Sequence, residues 1–100
     1  MDFVGPLAFG AGLGAFLSDR DLKQNITTLP LSPYNAIGLT SVCWEWNKIA
    51  GKNFGLTGEK CGVVAQDVEK LYPCAVSKGE DGFLRVRYDM LHAMITHCNS

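Results

Sequence analysis

Apolar and polar positions follow no regular period over the first seventeen residues. From Phe3 to Leu17 there is no charge, and Gly5, Pro6, Gly10, Gly12 and Gly14 interrupt the apolar side chains. A stretch so poor in helix formers predicts an extended or irregular arm, and the apolar side chains from Phe3 to Leu17 need a surface to cover them. At Ser18 the pattern changes. Ser18 as N-cap, Asp21 at N3 as a capping-box variant and Leu17 stapling onto Leu22 predict a short helix through Gln24, with Asn25-Ile26-Thr27 as its exit. Pro30 and Pro33 forbid regular helix immediately afterwards.

Ser32 to Leu39 reads as one or two helical turns stopping near Gly38. Ser41 to Trp46 alternates, with Val42, Trp44 and Trp46 on one face and Cys43 and Glu45 on the other, which predicts a half-buried strand. Asn47 to Lys60, with its glycines and lysines, reads as a polar loop or hairpin connection. Cys61 to Ala65 predicts a short apolar strand and Gln66 to Tyr72 a short helix ended by Pro73. Cys74–Ser77 and Phe83–Tyr88 flank Lys78-Gly79-Glu80-Asp81-Gly82, a hairpin signal. In its second arm Leu84, Val86 and Tyr88 point one way and Arg85 and Arg87 the other, as on the solvated face of an outer strand. From Asp89, read as the N-cap, Met90, Leu91, Met94, Ile95 and Cys98 recur at helical spacing. The fold class expected is a small mixed α+β domain with short strands, a β-hairpin and short helices, expected to form a trimer. Residues 1–17 would form the arm and 18–100 the domain.

Composition narrows the function. One hundred residues, 47% of them hydrophobic, make one small domain with a marginal core, so an oligomer is expected. A formal charge of -1 with both signs interspersed leaves no basic face for nucleic acid. Cys43, Cys61, Cys74 and Cys98 lie far apart with no C-x-x-C pair, and read as free buried thiols in a reducing compartment. A metal would have to recruit His92, His97 and Cys98 with distant cysteines, a spacing unlike structural zinc motifs; both histidines read as lying on the polar side of the last helix. Gly10-x-Gly12-x-Gly14 is no phosphate or dinucleotide fingerprint, so no cofactor is expected. The arm falls short of the roughly 20 residues that span a bilayer. Trp44 and Trp46 read as core or subunit-interface aromatics.

The candidate chemistry lies at Ser18 and Lys23. A serine followed at this interval by a lysine can form a nucleophile–base pair if burial keeps the amine neutral. On a straight helix starting at Ser18, however, five steps of about 100° would place the two on faces roughly 140° apart.

Four landmarks occur in one order: Ser18-Asp19-x-x-Leu22-Lys23-x-Asn25-Ile26, Val42-x-Trp44-x-Trp46-Asn47, Gly62-Val63-Val64-Ala65-Gln66-Asp67-Val68-Glu69 leading to Pro73, and Val86-x-Tyr88-Asp89-x-Leu91. Together they resemble the peptidase S74 domain, the intramolecular chaperone auto-processing module at the C-terminus of bacteriophage tail spikes and tail fibres. The resemblance implies a homotrimer that assists fibre folding and then cuts itself off before the serine. It places the nucleophile on Ser18, the general base on Lys23 and the scissile bond between Leu17 and Ser18, so that cleavage would release Met1 to Leu17. The family continues from the Tyr-x-x-Leu segment into a long helix of a trimeric coiled coil, where this chain has about three turns.

Two principal readings follow. One is a tail structural or assembly protein of the virion, trimerising in the host cytoplasm during assembly and docking onto other tail proteins through residues 1–17. The other is a single-turnover self-cleaving serine endopeptidase. A third makes the arm membrane-active.

Overall fold

The computed structural model describes residues 16–98. In chain order the elements are β1 (Phe16–Leu17), β2 (Lys23–Thr28), β3 (Val42–Trp46), α1 (Lys48–Phe54), β4 (Glu59–Gly62), α2 (Ala65–Leu71), β5 (Val76–Lys78), β6 (Leu84–Val86) and α3 (Tyr88–Cys98). Single 3-10 turns lie at Arg20–Leu22, Pro33–Ile37 and Pro73–Ala75. The strands form two antiparallel three-stranded sheets, β1-β6-β5 and β2-β3-β4. This is the expected mixed α+β class. Of the arm, residues 1–15 lie outside the described residues, while Phe16 and Leu17 pair with Val86 and Arg85.

The helix expected over Ser18 to Gln24 does not form. Asp19 is the N-cap and accepts from the Asp21 N–H, the turn ends at Leu22, and Lys23 opens a strand. The segment has β-branched Ile26, Thr27 and Thr28, and pairing with β3 outweighs a capping signal worth about 1 kcal/mol. Between Gln24 and Thr27 the register shifts, and Asn25 sits at φ 53°, a left-handed position that asparagine tolerates. Asn47 to Lys60, read as loop, contains α1, because Asn47 caps it by accepting from the Ala50 N–H and Gly55 closes it at φ 69°. The turn over Pro33–Ile37 follows expectation, with a Ser32–Asn35 capping box and a left-handed Gly38. Asp89 is not the cap of α3, which begins one residue earlier at Tyr88. Nor is β6 an outer strand: it is the centre of its sheet, where Arg85 pairs with Asp81 at 2.8 Å and Arg87 with Asp89 at 3.0 Å.

The main core lies where α2, α3 and the Pro33–Ile37 turn meet β6, around Tyr34, Val63, Val68, Val86, Tyr88 and Leu91. A smaller cluster of Val42, Trp44 and Val64, with Trp46 packed against it, covers the second sheet. His92 is not on a polar face: it is half-buried, its Nε2 lies 2.8 Å from the Tyr34 hydroxyl, and its ring meets Tyr34 and Tyr88.

The cysteines also depart from expectation. Cys43 and Cys61 stand directly opposite one another across β3 and β4 and form a disulfide, while Cys74 is a free, exposed thiol. Eighteen residues separate the pair in sequence, and only the strand register brings them together.

Candidate Ser18–Lys23 site

The four sequence landmarks meet in space. Ser18 follows β1 and is fully buried. Its N–H donates to the Leu84 carbonyl at 3.2 Å, and its own carbonyl accepts from the Ala65 N–H at 2.9 Å. Its hydroxyl donates to the Val63 carbonyl. The backbone of the Gly-Val-Val-Ala segment therefore holds the serine on two sides.

Asp19 and Gln66 complete the clamp. The Asp19 carboxylate accepts from the Asp21 N–H at 2.9 Å, the Gln66 amide at 2.7 Å and the Leu84 N–H at 2.8 Å. Gln66 in turn accepts from the Arg20 N–H at 2.8 Å. Burial alone would raise the Asp19 pKa, but the donors from Asp21, Leu84 and Gln66, with Lys23 nearby, hold it below the usual carboxylate range. Further out, Arg20 bridges Asp67 at 3.2 Å.

Lys23 is brought in by strand register. It lies opposite Trp46 across β2 and β3, and Trp44, two residues along, shares that face. The amine sits 3.8 Å from the Trp44 ring centroid and 4.8 Å from that of Trp46, and the two indoles meet edge to face. Among the described residues the Lys23 Nζ has no hydrogen-bond partner, and neither has the buried Trp44 Nε1. Burial pushes the Lys23 pKa down to about 7 against the opposing pull of Asp19. The free amine is thus substantially populated at neutral pH, as a general base requires.

Tyr88 and Gly62 close the arrangement. The Tyr88 hydroxyl accepts from the Val63 N–H at 3.1 Å and lies 3.5 Å from the Val63 carbonyl, the acceptor of the Ser18 proton. Burial raises its pKa, opposed by its hydrogen bonds with Val63 and Ser18. At Gly62 a β-carbon would collide with the Tyr88 hydroxyl and crowd the Trp44 ring edge, so only glycine lets phenol and indole meet there.

The structure buries both Ser18 and Lys23, with the Ser18 hydroxyl donating to the Val63 carbonyl and the Lys23 amine laid over the indoles rather than hydrogen-bonded to the serine. A 3-10 turn followed by a strand replaces the straight helix, so the separation of faces does not arise. Reasoning from sequence did not assign Trp44, Gly62, Val63, Gln66 or Tyr88 to the site. Their signal was membership of the recurring motifs, whose joint purpose shows only in three dimensions. Among the described residues no group of three or more His, Cys, Asp or Glu side chains is placed to hold a metal ion, and no helix is long and apolar enough to cross a membrane.

Comparison with known families agrees with this convergence. The family model for Peptidase_S74, chaperone of endosialidase, matches residues 18–77. The chain belongs to this family. The match begins at the buried serine and takes in Lys23, both tryptophans and the Gly62–Gln66 segment; Tyr88 lies beyond it. No curated protein and no solved structure matches the chain.

Proposed function

We propose that this S74 domain is a self-processing intramolecular chaperone module that cuts the Leu17–Ser18 bond with Ser18 as nucleophile and Lys23 as general base. The observation that carries this reading is the buried Lys23 amine, held near neutrality between two indoles and without a hydrogen-bond partner among the described residues. A lysine that served only to cap or solvate would not be placed in this way, since desolvating it unpaired costs stability.

The step runs within one chain. The Ser18 hydroxyl leaves the Val63 carbonyl by rotation about χ1 and passes its proton to Lys23. Its oxygen then bonds to the Leu17 carbonyl carbon, and as the C–N bond breaks Lys23 returns the proton to the Ser18 nitrogen. The product is an ester, which water hydrolyses to a Leu17 carboxylate and a restored Ser18 hydroxyl. Trp44 and Trp46 keep water from the amine, and Asp19 orients the turn. Family membership supports a setting in bacteriophage tail fibres or spikes, with a homotrimer assembled before cleavage and residues 1–17 facing other tail proteins.

Intact mass after incubation at pH 7–8 tests the cleavage. Loss of Met1 to Leu17 is expected from the wild type and from neither Ser18→Ala nor Lys23→Met. A wild type that stays whole, with sedimentation showing it trimeric, would reduce the module to a structural role.

A further inference from the structure

Cys43 stands one residue before Trp44 on β3, and Cys61 stands one residue before Gly62 and two before Val63 at the end of β4. The disulfide between them therefore spans the place where the two halves of the site join. On the β3 side are the indoles around Lys23. On the β4 side is the Val63 backbone, whose carbonyl accepts the Ser18 hydrogen bond and whose N–H donates to Tyr88. Between them Gly62 lets the Tyr88 hydroxyl and the Trp44 ring edge close over the same point. The second sheet consists of three strands, with β4 at its edge and only four residues long. A small slip of β4 along β3 would shift the acceptor of Ser18 relative to the bracket of Lys23.

We propose that the Cys43–Cys61 disulfide is a positioning bridge for the Ser18–Lys23 site: intact, it keeps the indole bracket and the Val63 backbone in one register, and its reduction uncouples them and admits water to the Lys23 amine. The proposal rests on the dyad reading above. The cysteines act through Trp44 and Val63 and take no part in proton transfer. Reduction by a dithiol transfers two electrons and two protons to the bridge, giving two thiols while the reductant closes to its own disulfide. The charged group whose field reaches the amine is Asp19 from the turn; Lys60 of β4 stands opposite Trp44 in the strand register. Glu45 points to the opposite face, where it accepts from Gln24 and Asn25.

The test compares the full chain in three forms: oxidised, reduced with dithiothreitol, and Cys43→Ser/Cys61→Ser. Two readouts are followed in each, the first-order rate of mass loss at pH 7 and the titration of the Lys23 side chain by carbon NMR. In the two open forms the Lys23 midpoint is expected to rise. A rise of one unit would lower the neutral fraction at pH 7 from about half to about a tenth, slowing cleavage about fivefold. If the oxidised chain does not cleave but its Lys23 midpoint still rises on reduction, the proteolytic reading falls and the bridge stands. A Lys23 midpoint and cleavage rate unchanged in both open forms would overturn it, even if the melting temperature dropped, because the bridge would then stabilise without positioning. Alkylation of Cys43 and Cys61 in the unreduced protein would overturn it at once.

Discussion

The two sheets bury different kinds of side chain. Around β1-β6-β5 the core is apolar or phenolic, closed by α2 and α3 with Tyr34, Val86, Tyr88 and Leu91. Around β2-β3-β4 the buried cluster among the described residues is Val42, Trp44 and Val64, with a lysine laid across it. Burying apolar surface is favourable and burying an unpaired amine is not. The first region therefore stabilises the fold, and the second holds a desolvated, unpartnered amine at some cost to stability. Ser18 lies at the seam: its N–H is bonded to Leu84 beside β6, while its carbonyl and hydroxyl reach the segment that follows β4.

The largest expected effect lies in the stabilising half. Leu91→Ala removes a fully buried side chain from α3 and should cost about 2–5 kcal/mol, visible as a lower denaturant midpoint. In the other half, Lys23→Met should do the reverse, raising stability by about 2–4 kcal/mol below pH 7, since it removes a buried amine but keeps its packing on the indoles. The sign follows from the lowered pKa. Between about 7, the folded value, and 10.5, the ordinary one, the unfolded chain binds more protons, so wild-type stability rises with pH across that window. Denaturation from pH 6 to 10 should show that rise in the wild type and a flatter profile in Lys23→Met.

Asp19→Ala comes next, at about 1–3 kcal/mol, because the Asp21 and Leu84 N–H groups lose their acceptor. Its folded pKa is depressed, so its contribution is present above the ordinary carboxylate value of 3.8 and is lost as pH falls through the folded value. The wild type should accordingly lose its advantage over this variant in acid. Smallest is Arg20→Ala, within about 0.5 kcal/mol, since its bridge to Asp67 is solvent-exposed. A large loss there would mean that the turn depends on charge rather than on the Gln66 clamp.

Most elements were legible where a local signal agreed with the tertiary pairing. The alternation of Val42 to Trp46, the helical turn stopping near Gly38, the Pro73 stop and the Gly82 hairpin all appear in the structure. Ser18 to Thr28 was misread because a cap and a staple are signals spanning a few residues, whereas a strand is decided by its partner. The hidden disulfide and the inward turn of His92 have the same cause. Spacing along the chain says nothing about which residues stand opposite across a sheet or beneath a helix.

By itself the sequence determined the α+β class and the family and singled out Ser18 and Lys23 as candidates, because these rest on residue types at fixed intervals. Only the tertiary structure decided that Lys23 is on a strand rather than a helix, that Trp44 and Trp46 cover it, and that the Val63 carbonyl accepts the Ser18 hydrogen bond. The physical reason is that a lysine's pKa is set by what surrounds it, and here the indoles over the amine come from a strand some twenty residues distant.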